Sequence, residues 1–103
     1  MAWIYLIIAG VLEVVWAYAM KQSDGFTRFG PTAVTIVTML ASFALLAAAM
    51  RALPLGTAYP VWTGIGAVGT FIVGAFFLGE SLDALRVTAA ALILTGLVLM
   101  KIA

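Results

Sequence analysis

Histidine and cysteine are both absent from this 103-residue chain, and charge is scarce, since five basic and four acidic residues make up only 9% of it. Without thiols there are no disulfides and no thiol chemistry, and without imidazole as well a zinc or haem site lacks its usual ligands. No metal and no cofactor is therefore expected. A Walker-type glycine loop is missing too, so nothing here would cradle a nucleotide. The net charge of +1 points to no particular partner, and nothing marks a nucleic-acid surface.

What the chain does have is apolar length. Hydrophobic residues make up 66% of it and the mean hydropathy is +1.25, against about 45 to 50% apolar and about 25% charged in soluble domains. The expected class is an all-α integral membrane protein. A bilayer core takes about 20 apolar residues per helix, so this length accommodates a four-helix bundle as a single transmembrane domain and little else. A cleaved signal peptide would show a basic front end and a small-residue cleavage site, whereas the first apolar run begins Met1-Ala2-Trp3 and carries Glu13 and Trp16. That run reads as a retained helix.

Four spans are expected, over residues 2–20, 31–50, 57–78 and 84–102. Lys21, Gln22, Ser23, Asp24 and Gly25 close the first, and Pro31 suits the first turn of the second. Leu53-Pro54-Leu55-Gly56 breaks the chain before the third, and Gly79-Glu80-Ser81-Leu82-Asp83 closes it. The fourth has an uncharged stretch only from Val87 to Met100, so Arg86 and Lys101 must snorkel for it to cross, and it is the helix expected to be held by partner contacts. Trp3 fits an interfacial aromatic belt. Lys21, Arg28 and Arg86 fall on one side of the membrane, and Arg51 and Lys101 on the other. Orientation follows the excess of Lys and Arg in cytoplasmic loops. A near balance leaves it weakly specified, which agrees either with a chain that has few charges or with one that inserts both ways and pairs as an antiparallel dimer.

Glu13 is the residue that needs a reason. It stands alone in the apolar run from Met1 to Met20, and an ionisable group at the centre of a span costs about 2.5 to 3.5 kcal/mol on insertion scales. Arg86 and Lys101 stand near the ends of the fourth span and no other charge lies at comparable depth to pair with it, so a proton or cation site is the expected use. Positions three and four apart share a helical face, which groups Ala9, Gly10, Glu13, Trp16 and Ala17. On the third helix Tyr59, Trp62 and Gly66 share a face, with Thr63 and Gly69 near it, and Ser42 is the hydroxyl at comparable depth on the second. For Trp16 and Trp62, packing and ligand contact are both open readings; Ser42 by itself also suits a plain helix–helix hydrogen bond.

The run Ala9-Gly10-Val11-Leu12-Glu13-Val14-Val15-Trp16-Ala17, followed by Lys21 and Gly25-Phe26-Thr27-Arg28, resembles the first helix and loop of the small multidrug resistance transporters. Leu53-Pro54-Leu55-Gly56-Thr57-Ala58-Tyr59-Pro60-Val61-Trp62-Thr63-Gly64-Ile65-Gly66 resembles their third helix, and the likeness extends over essentially the whole chain. The Glu-x-x-Trp-Ala arrangement and the Gly-Thr-Ala-Tyr start are similar to the guanidinium exporter branch. The polyaromatic multidrug branch has glycine where Trp16 stands and tyrosine in the place of Met39. The resemblance implies a transporter rather than an enzyme: proton-coupled export from the bacterial inner membrane by an antiparallel, dual-topology homodimer. Its two Glu13 carboxylates would form one shared site. Trp16, Ser42, Tyr59 and Trp62 would line the pocket, the serine and tryptophans hydrogen-bonding the glutamates, and the third helix would kink around Gly64 and Gly66 for gating.

A planar cation suits such a site. Guanidinium is flat, permanently charged near neutral pH, and presents paired N–H donors that match the two oxygens of a carboxylate. Two neighbouring carboxylates titrate as one coupled pair, so protons and cation compete for the same oxygens. A quaternary ammonium or multidrug cation is the close alternative, because aromatic rings hold such ions by cation–π contacts. An assembly partner whose own cation pairs with Glu13, and a cation channel, are the other classes the residues allow. Pro60 departs from the family pattern, where alanine is usual. Its ring clashes with the carbonyl of Gly56, so the helix either starts late, at Thr57 or Ala58, or bends.

Overall fold

The structure, a computed structural model, describes residues 1–102. Four helices account for nearly all of them: α1 (Ala2–Gln22), α2 (Phe29–Ala49), α3 (Leu55–Phe77) and α4 (Ala84–Ile102). Each is long and apolar enough to cross a membrane, and the short connections make neighbours antiparallel. The protein is an all-helical, multi-pass membrane protein.

The helix ends are set by a few side chains. After α1 the backbone passes through three consecutive left-handed residues, Asp24, Gly25 and Phe26, at φ of 51°, 73° and 67°. Ser23 is fully buried and ties this turn together. Its hydroxyl donates to the Met20 carbonyl at 2.6 Å and accepts from the Phe26 N–H at 3.0 Å, while its carbonyl accepts from Thr27 and Arg28 N–H at 2.9 and 3.1 Å. Helix α2 begins at Phe29, two residues ahead of the start expected at Pro31, and the proline still falls in the first turn, where its missing N–H leaves no helical bond unmade. At α4, Asp83 caps the start by accepting from the Arg86 N–H at 2.8 Å.

Helix α3 starts at Leu55 rather than Thr57. Pro54 is extended (φ −68°, ψ 154°), and its carbonyl accepts from Thr57 and Ala58 N–H at 3.1 and 2.9 Å. Pro60 therefore lies inside the helix, beyond the first turn. The late start expected as one outcome is excluded. Without an N–H on Pro60, the Gly56 carbonyl loses its helical donor.

Helix α1 is the hub. It packs along α2 on one side and α3 on the other, α2 and α3 meet over a short stretch only, and α4 packs against α3. The core is concentrated at one end of the bundle, where Leu6 and Ala9 of α1, Leu46 and Ala49 of α2, and Ala58, Val61 and Trp62 of α3 interlock. Toward the other end the helices part around an apolar groove of about 540 Å³, lined by Val14, Tyr18, Val34, Val73 and Phe77 among others. No described residue of α4 is buried. Its last turn reaches α1 through Lys101, whose ammonium stands 4.5 Å above the Trp3 ring centre, so Trp3 has a partner within the chain.

Candidate functional site

Glu13 lies in the middle of α1, where the packed end of the bundle gives way to the open one. Ala9, fully buried, and Gly10, also buried, precede it by one turn and bring α3 close. A methyl group added at Gly10 would come within 2.7 Å of Ile65 Cβ, so the glycine is what allows the contact. The next residue of α3, Gly66, receives the carboxylate itself: a Cβ there would collide with Glu13 Oε1, Cδ and Cγ. The lack of a side chain at Gly66 makes the room in which Glu13 lies.

The Oε1 atom of Glu13 is buried and has no hydrogen-bond partner. Trp16, one turn further along α1, has its indole Nε1 buried and equally unpartnered. An acceptor and a donor thus stand unmet on one face of one helix. Among the described residues no basic side chain pairs with Glu13, and the single ion pair among them is an exposed one between Arg86 and Asp83 at 3.8 Å. Buried polar atoms without partners are uncommon in native structures and ask for an explanation.

Ser42 and Trp62 form a separate chain of hydrogen bonds. The Trp62 indole N–H donates to Ser42 Oγ at 3.0 Å, and the Ser42 hydroxyl donates to the Ala9 carbonyl at 2.7 Å. Ala9 is the residue whose carbonyl takes the backbone N–H of Glu13 in the helical ladder. The relay thus fastens α2 and α3 to α1 one turn from the carboxylate without touching it. Within the single chain no hydrogen bond joins Ser42, Trp16 or Trp62 to Glu13: Ser42 gives its proton to a backbone oxygen, Trp62 gives its own to Ser42, and Trp16 has no partner.

The aromatic residues meet through Phe43, which the sequence pattern does not single out. Phe43 stands 6.4 Å from Trp16 and 5.8 Å from Trp62 between ring centres, and Tyr59 lies 5.5 Å from Trp62. Trp16, Phe43, Trp62 and Tyr59 form a continuous edge from α1 across α2 to α3. Tyr59 is 51% exposed at the end of it. Position 43 follows Ser42 directly in the chain, so a face count centred on Ser42 leaves it out.

Gly64 and Gly66 have different neighbours. A Cβ at Gly64 would lie 3.1 Å from Leu97 Cγ on α4, whereas Gly66 faces Glu13 on α1. Helix α3 is continuous through both. No cluster of three or more acidic, histidine or cysteine side chains occurs among the described residues.

The comparisons with known proteins agree with this architecture. Residues 1–93 match the family described as Small Multidrug Resistance protein. The chain is 56% identical over 103 residues to a protein of Yersinia pseudotuberculosis named "Guanidinium exporter", covering 100% of this chain and 99% of that one. A protein of the same name from Escherichia coli strain K12 is 53% identical over 102 residues, covering 99% of this chain and 97% of that one. With four membrane-crossing helices and matches that span nearly its whole length, the chain belongs to the Small Multidrug Resistance family.

Proposed function

We propose that this protein is a proton-coupled antiporter that exports guanidinium and small guanidinyl or related cations across the bacterial inner membrane, working as an antiparallel homodimer. The observation that carries the reading is the buried, unpartnered Oε1 of Glu13, with no cation among the described residues placed to meet it. A carboxylate so placed accepts either a proton or a donor-rich cation. Guanidinium supplies paired, charge-assisted N–H bonds in the plane of the carboxylate. The two relatives named "Guanidinium exporter" support the same choice.

A second copy completes the site. One protomer offers a single carboxylate on an open helix face, and α4 leaves its apolar surface uncovered. Two copies inserted in opposite senses would bring two Glu13 side chains together, and the near balance of basic residues permits both insertions. The indole N–H of Trp16, buried and unpartnered in the single chain, would reach the carboxylate of the second copy only after its side chain turns outward on pairing. Trp16, Tyr59 and Trp62 wall the cation, while Ser42 holds Trp62 in place. Exchange follows from competition: the coupled pair carries protons one way or the cation the other. Bending at Gly64 and Gly66, where α3 has no side chains, would let the pocket open to alternate sides.

The edge formed by Trp16, Phe43, Trp62 and Tyr59 favours a second reading, a quaternary ammonium or multidrug cation held on aromatic faces. One experiment decides both. Full-length protein in proteoliposomes is given guanidinium, methylguanidine or a tetra-alkyl ammonium, with and without a pH gradient. Guanidinium should be preferred and gradient-driven, and Glu13→Gln should abolish the flux while the helical content is kept. Gradient-driven flux in Glu13→Gln would sink the mechanism, and a preference for the bulky ammonium would transfer the protein to the second reading.

A further inference from the structure

Among the described residues, a second carboxylate besides that of Glu13 is folded back onto the bundle. Glu80 follows Gly79, whose φ of 67° turns the chain back at the end of α3. The Glu80 backbone N–H donates to the Gly74 carbonyl at 3.0 Å. Its side chain lies against the same residue, since a Cβ added to Gly74 would run into Glu80 Oε1 and approach Cδ to 3.0 Å. Gly74 is buried beneath it. The backbone bond belongs to the glycine-ended C-terminus of α3; the contact with Gly74 is what holds the exposed side chain against the helix.

The carboxylate lies at the mouth of a cavity. A cleft of about 320 Å³ runs between α1 and α3, lined by Ala17, Lys21, Thr70, Gly74 and Glu80 among others. Ala17 is one turn from Glu13, and Thr70 is one turn from Gly66, to whose carbonyl its hydroxyl donates at 2.7 Å. The cleft therefore begins about 6 Å along the helix from the central carboxylate. From Gly66 to Gly74 the rise is about 12 Å, which separates the two acidic groups by more than a contact and by little more than a screening length. Neither Lys21, in the same cleft, nor Arg86, which pairs with Asp83, forms an ion pair with Glu80.

We propose that Glu80 is an outer cation-binding station that takes a guanidinium ion at the membrane surface and passes it along the α1–α3 cleft to and from Glu13. The proposal rests on the export reading above and adds a second site to it. An exposed carboxylate binds a guanidinium weakly, in the same two-point geometry, and raises its concentration at the cleft mouth without trapping it. Lys21 is the competing cation at this station. In an antiparallel pair each membrane face carries one such loop, so entry and exit are served by equivalent stations.

Initial rates of guanidinium transport by the full chain in proteoliposomes test this across a range of substrate concentrations. Glu80→Gln should raise the KM for guanidinium about tenfold with the maximal rate kept, and Glu80→Asp should restore part of the loss. Gly74→Ala, which leaves the charge but evicts the carboxylate from its cradle, should raise KM in the same way. Lys21→Gln should lower it. A wild-type KM in Glu80→Gln overturns the station, and if Gly74→Ala folds poorly the Glu80 and Lys21 variants still decide. Glu13→Gln is measured alongside. Flux abolished there but unchanged KM in Glu80→Gln removes the outer station only, whereas flux retained in Glu13→Gln removes the central site on which it rests.

Discussion

The two ends of the bundle are built differently from nearly the same residue types. At the end bearing Met1 and the α2–α3 turn, Leu6, Ala9, Leu46, Ala49, Ala58, Val61 and Trp62 form a closed core, pinned by the Trp62–Ser42–Ala9 relay. At the end bearing Gln22 and Phe77, valines, Tyr18 and Phe77 line an open groove of about 540 Å³. Composition does not separate them, since both are apolar. Small residues occur at both: Ala9, Ala49 and Ala58 interlock in the closed core, while at the other end Gly69 brings α3 against Val14 and Ala19 is buried, yet Val34, Tyr18 and Phe77 still leave the groove between them. Glu13 sits at the join, where one carboxylate oxygen is enclosed and the neighbouring space is not. Under the export reading proposed above, the packed end would fix the site and the groove would leave room for it to open.

The join should be the most sensitive point. Gly66→Ala puts a methyl group where Glu13 Oε1 and Cγ lie, so either the carboxylate or α3 has to move. Overpacking of this kind costs about 1 to 3 kcal/mol, and guanidinium flux in proteoliposomes should fall by more than the loss of folded protein explains. Gly30→Ala is the control, since an added methyl there meets nothing within 4 Å. Full flux in Gly66→Ala would mean that the lie of Glu13 against α3 is incidental.

Much of this was legible in the chain, and the reasons differ by residue. Four spans follow from hydropathy because lipid demands internally bonded helices of fixed length. Glu13 stood out because a charge in that environment is costly wherever it points. Gly64 and Gly66, in contrast, read as one kink-prone pair, yet residues two apart are about 200° apart on a helix and the structure sets one against Leu97 and the other against Glu13. The use of the Ser42 proton was not readable, because its acceptor is a backbone carbonyl and every residue has one. Pro60 was seen to be disruptive, but the start of α3 was decided by Pro54, whose carbonyl takes the first helical N–H groups. The cradle of Glu80 on Gly74 depends on a left-handed turn at Gly79 that brings residues six apart together.

The relay in the closed end gives the next largest effect. Ser42→Ala leaves the buried Trp62 N–H without an acceptor, a loss of about 1 to 3 kcal/mol. The Ala9 carbonyl keeps its helical donor, so the penalty falls on the tryptophan. Trp62→Phe removes that donor, and the double variant Ser42→Ala/Trp62→Phe should therefore cost less than the sum of the two, by about 1 kcal/mol in a double-mutant cycle. Thermal unfolding in one detergent measures all four corners. Strict additivity would show that the relay contributes nothing beyond shape.

The smallest effect is the most direct comparison of the two ends, because it makes one substitution in both. Val61 is 3% exposed in the closed core, and Val34 is 46% exposed beside the groove. Transfer from water contributes little between lipid-embedded helices, so truncation reports how tightly the side chain packs against neighbouring helices. Val61→Ala opens a void among fixed neighbours and should destabilise by about 1 kcal/mol or somewhat more. Val34→Ala removes atoms that face the groove, where detergent or lipid fills the space, and should cost less than about 0.5 kcal/mol. Unfolding of both variants under identical conditions checks the difference. Equal costs would mean that the groove closes in the assembled protein and that the open end is as tightly packed as the other, which would shift the moving parts of the carrier away from it.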